Sequence, residues 1–226
     1  MDITGIECGR NEHYAWKGFD MKHPSSSLAL ASMCLALAGL TFATSVVAAA
    51  PAVAGEYISE KPAAGYFPLV SDRAAADIFA ADDDWKVVRI AAGDLALDVE
   101  RVTGRKPAVK QATEGLSENA VLVGTLGKSP VIDRLVKEGR LDVKDVQEQW
   151  ESFLIATVAN PLPGVRRGLV IAGSDRRGSA YGVYELSKRI GISPWYWWAD
   201  VTPVHREALY VSTERLRVGP PAVKYR

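Results

Sequence analysis

Residues 168–191 read GLVIAGSDRRGSAYGVYELSKRIG, and this stretch decides the fold. The apolar run Gly168–Ala172 has the length and composition of a buried strand. The polar loop Gly173–Gly178 follows it, and a helix is predicted over about Ser179–Ile190. A strand that passes through a short polar loop into a helix is the unit from which α/β domains are built.

Strands and helices also alternate on the N-terminal side of this unit. Apolar residues in Trp85–Thr103 recur at three- and four-residue steps, which predicts a helix with one buried face, and Asp84 is placed to cap it. The buried strand Ala120–Val123 precedes a second helix at about Pro130–Glu138. Further short strands are predicted at Phe67–Val70, Ala76–Ala80, Val109–Gln111 and Leu209–Val211.

The remaining strand signal sets the fold class. Glu151–Val158 alternates polar and apolar residues, and it is predicted to lie beside Gly168–Ala172 as a hairpin or a neighbouring pair. Because strands and helices are interspersed and few helices are long, we predict an α/β (α+β) domain. It would consist of a mixed β-sheet with helices packed on it.

The N-terminal part of the chain differs from the rest. A short basic start at Met21–His23 and the uncharged apolar run Leu28–Val47 lead into small residues, which is the pattern of a secretory signal peptide. A membrane anchor is the alternative, because the run is long enough to span a bilayer. A signal peptide implies a secreted or periplasmic protein. The predicted organisation is a mis-assigned extension at 1–20, a signal peptide at 21–54, a linker at 55–65, a folded domain at 66–216 and a hinge at 217–226.

Composition excludes several classes of function. The 27 Lys and Arg residues balance the 27 Asp and Glu residues, so there is no electrostatic case for binding nucleic acid. Cys8 and Cys34 both lie in the part that we expect to be removed, and His205 is the one histidine beyond it. This leaves no support for a zinc site or for Cys–His catalysis, so neither a metal nor a cofactor is predicted.

One phosphate-loop candidate fails a test of spacing. Gly127–Ser129 looks like the end of such a loop, but the pattern also needs a glycine at position 122, which is Leu122. A tight turn between a strand and a helix is the better interpretation of this segment.

The loop Gly173–Gly178 has two interpretations. Its free backbone N–H groups and its arginines suit an anionic ligand such as a sugar carboxylate, which makes Ser174, Asp175, Arg176 and Arg177 the candidate substrate-binding residues. Alternatively, Ser174 or Asp175 caps the helix, while the arginines are solvated or form ion pairs across a domain interface.

An aromatic cluster follows the helix, and it consists of Trp195, Tyr196, Trp197 and Trp198. A small domain cannot easily bury four adjacent large rings, so a contact with another domain is the first interpretation. A platform for sugar rings is the second. Carboxylates are plentiful, with Asp175 and Asp200 in conspicuous places, but nothing in the sequence pairs two of them as a glycosidase requires. No catalytic residue is therefore predicted.

These segments together resemble the N-terminal domain of glycoside hydrolase family 115. The resemblance covers roughly residues 66–226, and its aromatic segment is distinctive. The segments that carry it are GSDRRG (173–178), YGVYELS (181–187), GISPWYWWADV (191–201) and GPPAVKYR (219–226), with AAGDL (91–95) and VTG (102–104).

The resemblance implies a parent enzyme with a further domain. Members of that family are α-glucuronidases, which remove glucuronic acid or its 4-O-methyl form from xylan side chains. Their N-terminal α/β domain resembles the one that precedes the barrel in hexosaminidase-like enzymes, and the catalytic acids lie mostly in that barrel. The implied partners are the barrel of the same full-length chain, a xylan-type polysaccharide or glucuronoxylo-oligosaccharide, and, in a homodimer, a second full-length copy. The resemblance also places the Ser174–Arg177 loop on the active-site side of the barrel.

Two other hypotheses remain open. The chain could be a stand-alone carbohydrate-binding or interaction module whose aromatic cluster holds the ligand. It could also be a fragment of a decayed gene. An open reading frame that encodes a barrel downstream of Arg226 would favour the enzyme, whereas a genuine stop codon would favour one of these two.

Export of the protein should remove the N-terminal segment. We expect the mature chain to begin after Ala50 or Ala54, because small residues occupy the positions that signal peptidase reads. N-terminal sequencing of exported protein measures this directly. A mature chain that keeps Leu28–Val47 would instead support the membrane anchor.

Overall fold

The computed structural model describes residues 56–72 and 74–223. The predicted extension at 1–20 and signal peptide at 21–54 lie outside the described residues. Within the described ranges, no helix combines the length and the apolar character needed to cross a membrane.

The described residues form nine strands and four helices. In chain order these are β1 (Ile58–Ser59), β2 (Tyr66–Val70), β3 (Asp77–Ala80), α1 (Lys86–Thr103), β4 (Val109–Lys110), β5 (Asn119–Thr125), α2 (Pro130–Lys137), β6 (Phe153–Leu162), β7 (Val165–Gly173), α3 (Arg176–Ile190), α4 (Tyr196–Ala199), β8 (Leu209–Ser212) and β9 (Leu216–Val218).

The strands form one large mixed sheet and one small antiparallel sheet. The large sheet has the order β4-β3-β5-β7-β6-β9, in which β4, β3, β5 and β7 are parallel and β6 and β9 are antiparallel to their neighbours. The small sheet has the order β1-β8-β2. The prediction of a mixed sheet is thus confirmed, as is the pairing of β6 with β7.

Helices pack on both faces of the large sheet, so its central strands are buried on both sides. On β5, Val121 and Val123 join the core formed with α1 and α3, while Leu122 joins the core formed with α2. The small sheet packs into the first core through residues such as Phe67 and Val211. The alternation along β5 therefore sorts its side chains into two hydrophobic layers.

The chain reverses direction across the sheet between β3 and β5. From β3 it passes through α1 to β4 on one side, and from β5 it passes through α2 to β6 and β7 on the other. Such a switch point opens a crevice at the carboxyl ends of the parallel strands, where α/β proteins commonly bind ligands. The carboxyl ends of β3, β5 and β7 lie side by side at this edge.

The start of α3, the cap of α1 and three short elements differ from the sequence prediction. Helix α3 starts at Arg176 rather than near Ser179, because Asp175 caps it. Asp84 does not occupy the N-cap of α1; that position is Trp85, which makes no side-chain capping bond. Strands β1 and β9 and helix α4 were not anticipated, and paired strand residues therefore extend on both sides of the predicted 66–216 domain.

Glycine allows α3 to approach the sheet closely. A Cβ atom added at Gly173, the last residue of β7, would overlap the backbone nitrogen of Ser179 on α3. In contrast, a Cβ atom at Gly93 in α1 would meet nothing within 4 Å. The contact between β7 and α3 thus requires glycine on the strand, whereas α1 has no such need at Gly93.

Substitution at these two glycines should have opposite effects. We expect Gly173→Ala to lower the free energy of unfolding by about 2–3 kcal/mol, because backbone atoms must move to relieve the overlap. The control Gly93→Ala should raise it by about 0.5–1 kcal/mol through helix propensity. Urea-induced unfolding measures both values. Equal effects at the two positions would contradict the close approach of α3.

Candidate functional site

A buried carboxylate joins the loops that follow β3 and β5. Asp84 is 4% exposed, and its Oδ2 accepts a hydrogen bond of 2.8 Å from the backbone N–H of Thr125. Its Oδ1 accepts a 2.7 Å bond from the N–H of Trp85. Asp84 therefore ties the start of α1 to the end of β5 across the switch point.

A buried hydroxyl joins the same strand to α3. The Oγ of Ser179 lies 2.8 Å from the Oγ1 of Thr125, and it also lies within hydrogen-bond distance of the carbonyl oxygens of Gly124 and Asp175. Ser179 has no solvent exposure. The ends of β3, β5 and β7 are thus linked by polar groups that are themselves satisfied, as buried polar groups must be.

Asp175 and Ser174, two of the predicted ligand-binding residues, are engaged within the fold. The Oδ1 of Asp175 accepts bonds from the N–H groups of Arg177 and Gly178, at 2.9 and 2.7 Å, and its Oδ2 accepts a 2.8 Å bond from the N–H of Glu151. Ser174 exchanges hydrogen bonds with the backbone of Ser152. These contacts are those of the capping interpretation, and the Asp175 carboxylate is a structural group.

Arg177 is paired with an acid that the sequence reasoning missed. Its Nη1 lies 2.5 Å from the Oε1 of Glu151, whose side chain is only 5% exposed. Its Nη2 donates a 3.1 Å bond to the Tyr181 hydroxyl. This bond, together with the nearby Glu151 carboxylate, raises the pKa of the Arg177 guanidinium. The charge of Arg177 is therefore balanced inside the domain.

Arg176 occupies a different environment at the same edge. Its guanidinium carbon lies 5.9 Å from the ring centroid of Trp85, and the Nζ of Lys128 lies 5.5 Å from the same ring. Trp85 is 44% exposed, and both cationic residues are exposed as well. Trp85 and Lys128 were not predicted as site residues. The signal that could have identified them is position, since each lies in the loop that follows a predicted strand.

The aromatic segment is largely exposed. Trp195 is 64% exposed and Trp198 is 84% exposed, on and beside the four-residue helix α4. Tyr196 is partly buried, with the Arg101 guanidinium 5.0 Å from its ring centroid, which attaches α4 to α1. The side chain of Trp197 lies outside the described part of the structure. Two large apolar side chains of this segment are thus in contact with solvent.

A groove of about 690 Å³ runs beside this segment between α1 and α3. One wall is Ile192–Pro194, which leads directly into Trp195. Inside it, the Tyr184 hydroxyl donates a 2.7 Å bond to the Oδ2 of Asp94. Partial burial and this acceptor raise the pKa of Tyr184. The groove is therefore next to the loop that leads into α4.

The other conspicuous acid has no marked environment. Asp200 ends α4 in a left-handed conformation, with φ at 49°, and its side chain is exposed. Across residues 56–72 and 74–223, no group of three or more His, Cys, Asp or Glu side chains could hold a metal ion.

Comparison with solved structures gives several matches. The chain resembles BtGH115A, a family GH115 4-O-methyl-α-glucuronidase with specificity for decorated arabinogalactans, at 30% sequence identity and a TM-score of 0.56. The match covers 68% of this chain and 18% of that protein, so the chain spans less than a fifth of its length. The fold is that of a glycosidase-related domain.

Two other matching structures have TM-scores below 0.5. CpGH84D matches at 11% identity with a TM-score of 0.39, covering 69% of this chain and 22% of that one. An N-acetyl-β-hexosaminidase from Streptomyces plicatus matches at 12% identity with a TM-score of 0.34, covering 67% and 24%. Neither adds to the assignment. No protein-family model matches the chain, and no curated protein matches it in sequence.

Removal of the Asp175 carboxylate should destabilise the domain. We expect Asp175→Ala to lower the free energy of unfolding by about 2–4 kcal/mol, since three backbone N–H groups lose their acceptor. The free energy of unfolding of Asp175→Asn should lie between that of Asp175→Ala and that of the wild type, because the amide oxygen still accepts hydrogen bonds. The control Arg176→Ala should change stability by less than about 0.5 kcal/mol. Thermal and urea unfolding measure all three, and a neutral Asp175→Ala would contradict the structural role.

Proposed function

We propose that this chain is the N-terminal domain of a secreted glycoside hydrolase of family 115. The parent enzyme removes glucuronic acid, or its 4-O-methyl form, from polysaccharide side chains. The similarity to BtGH115A carries this proposal, because it combines 30% identity with a match to 68% of the chain. The segments that resemble the family include the loop and the aromatic run described above.

We further propose that catalysis belongs to a barrel elsewhere in the parent protein. BtGH115A has more than four-fifths of its length outside the matched part. Within this chain, Asp175 binds backbone amides and Glu151 is paired with Arg177. Neither acid is free to serve as the acid or the base of a glycosidase. The domain by itself is therefore expected to be inactive.

The aromatic segment is the proposed contact with that barrel. Trp195 and Trp198 expose more than half of their surface, and large exposed indoles are typical anchors of interfaces. Contact with a second domain would remove this apolar surface from water. The groove beside Trp195 would extend the same surface.

A second candidate function is a stand-alone carbohydrate-binding module. The observation that favours it is the same exposure of Trp195 and Trp198, because indole faces also pack against sugar rings. The two candidates differ in what the indoles contact, which is protein in one and polysaccharide in the other.

Activity assays on two forms of the protein test the proposal. We expect the 226-residue chain to release no glucuronic acid from glucuronoxylan or from decorated arabinogalactan. A longer open reading frame that includes the DNA downstream of Arg226 should yield an enzyme that releases it from at least one of them. Comparison of the two polymers identifies the substrate. Release by the chain alone, or an inactive longer product, would refute the proposal.

Substitution of the exposed tryptophans distinguishes the two candidates. In this chain, Trp195→Ala/Trp198→Ala should change the free energy of unfolding by less than about 0.5 kcal/mol per site, since both side chains are already exposed. In the full-length protein the same double variant should lower the unfolding temperature of the domain and increase its proteolysis. Normal stability combined with a loss of polysaccharide binding would instead favour the carbohydrate-binding module.

A further inference from the structure

Three side chains meet at the carboxyl edge of the large sheet. Each lies in the segment that follows one of three adjacent parallel strands. Trp85 follows β3, Lys128 follows β5 and Arg176 follows β7. The Nζ of Lys128 and the guanidinium carbon of Arg176 lie 5.5 and 5.9 Å from the Trp85 ring centroid. The strand order β3-β5-β7 brings together residues that are far apart in sequence. We call these three residues the indole–cation cluster.

The two cations of the cluster differ in their pairing from the neighbouring arginine. Among the ion pairs of the described residues, neither Lys128 nor Arg176 takes part in one. The neighbouring Arg177 differs, because it is paired with Glu151. Two exposed cations over one partly exposed indole therefore remain available to an anion from outside the domain.

The cluster lies where two helices begin. Arg176 is the first residue of α3 and Trp85 is the N-cap of α1, and the Asp175 carboxylate already accepts bonds from the first N–H groups of α3. The loops that hold the three residues are fixed by Asp84 and Asp175, whose carboxylates accept bonds from backbone N–H groups. The cluster is thus held on a rigid edge.

We propose that the indole–cation cluster binds a uronic acid residue. Arg176 and Lys128 would hold the carboxylate, and the exposed part of the Trp85 ring would contact the C–H groups of the pyranose. Such a sugar matches both halves of the cluster, since it carries an anion and an apolar ring edge together. The choice of a uronate over other anions rests on the proposed function.

The cluster would act as a binding site and not as a catalytic one. It contains no carboxylate, whereas a glycosidase uses a pair of them, and it lies at the edge where the predicted Ser174–Arg177 loop is also found. Of the four residues predicted in that loop, Arg176 is the one whose charged group faces this cluster. The proposal therefore retains one predicted residue and adds Trp85 and Lys128.

Calorimetric titration of the purified chain tests the proposal with three probes. Methyl α-glucuronoside should bind in the millimolar range, and high salt should weaken it because the contacts are exposed and charged. Methyl α-glucoside lacks the carboxylate and should bind at least about tenfold more weakly. Inorganic phosphate lacks the apolar ring and should also bind more weakly. Equal binding of phosphate and glucuronoside would refute the assignment to a uronic acid.

Single substitutions assign the binding to the cluster. Arg176→Ala and Lys128→Ala should each weaken glucuronoside binding by about fivefold to tenfold, without loss of fold, because both side chains are exposed. Trp85→Leu should weaken binding of the glucuronoside more than binding of phosphate. The matched control is Lys137→Ala, an exposed lysine at the other end of α2, and it should change nothing.

Two results would overturn the proposal. One is unchanged binding in both cation variants, and the other is no detectable binding of the glucuronoside by the wild-type chain at millimolar concentration. Neither result bears on the proposed function, which is tested by glucuronic acid release from the longer protein. Conversely, an inactive longer protein that still binds the glucuronoside at the cluster would refute the proposed function and support the uronate site.

Discussion

The Asp84 carboxylate is the contact on which the carboxyl edge of the sheet depends. It accepts hydrogen bonds from the backbone N–H groups of Trp85 and Thr125, which are separated along the chain, and it is almost fully buried. If this carboxylate were removed, the N–H of Thr125 would lose its acceptor in a buried place, and the N–H of Trp85 would lose its acceptor in a partly buried one. Such a loss typically costs about 1–3 kcal/mol for each group. The Asp175 carboxylate does the same for α3 and for the loop before β6.

These two acids explain why the edge can present charged side chains. The backbone of each loop is held by a carboxylate, so the side chains that project from the loops do not have to stabilise them. Arg176 and Lys128 are consequently exposed, whereas Arg177 is paired with the buried Glu151. Tight packing of α3 on β7, which Gly173 permits, fixes the height of the helix start above the sheet. The acids and the glycine therefore position the exposed side chains of this edge.

Hydrophobic periodicity was sufficient to predict the long elements. Helices α1 and α2 and strands β5 and β7 each carry a pattern that spans many residues, and the hairpin of β6 and β7 follows from adjacent signals. The two-residue strand β1 and the three-residue strand β9 have no period to detect, since they are strands only through their partners. The start of α3 was placed three residues late because the arginines after Asp175 read as loop.

For the site residues too, the sequence predicts contacts between sequence neighbours and does not predict contacts between distant segments. Capping by Asp175 was one of two interpretations, because a cap involves residues next to each other in sequence. The Asp84–Thr125 and Glu151–Arg177 contacts join residues from different loops, so no local pattern indicates them. The strand order brings Trp85, Lys128 and Arg176 together. A single sequence does not show which strands pair, so it does not determine that order.

The borders of the large sheet have a consequence for how the domain can associate. The outermost strands are β4, with two residues, and β9, with three. Strands this short offer too few unpaired backbone groups to recruit an additional strand from another molecule, which protects the sheet from edge-to-edge aggregation. Lateral growth of the large sheet through either of these two strands is therefore disfavoured.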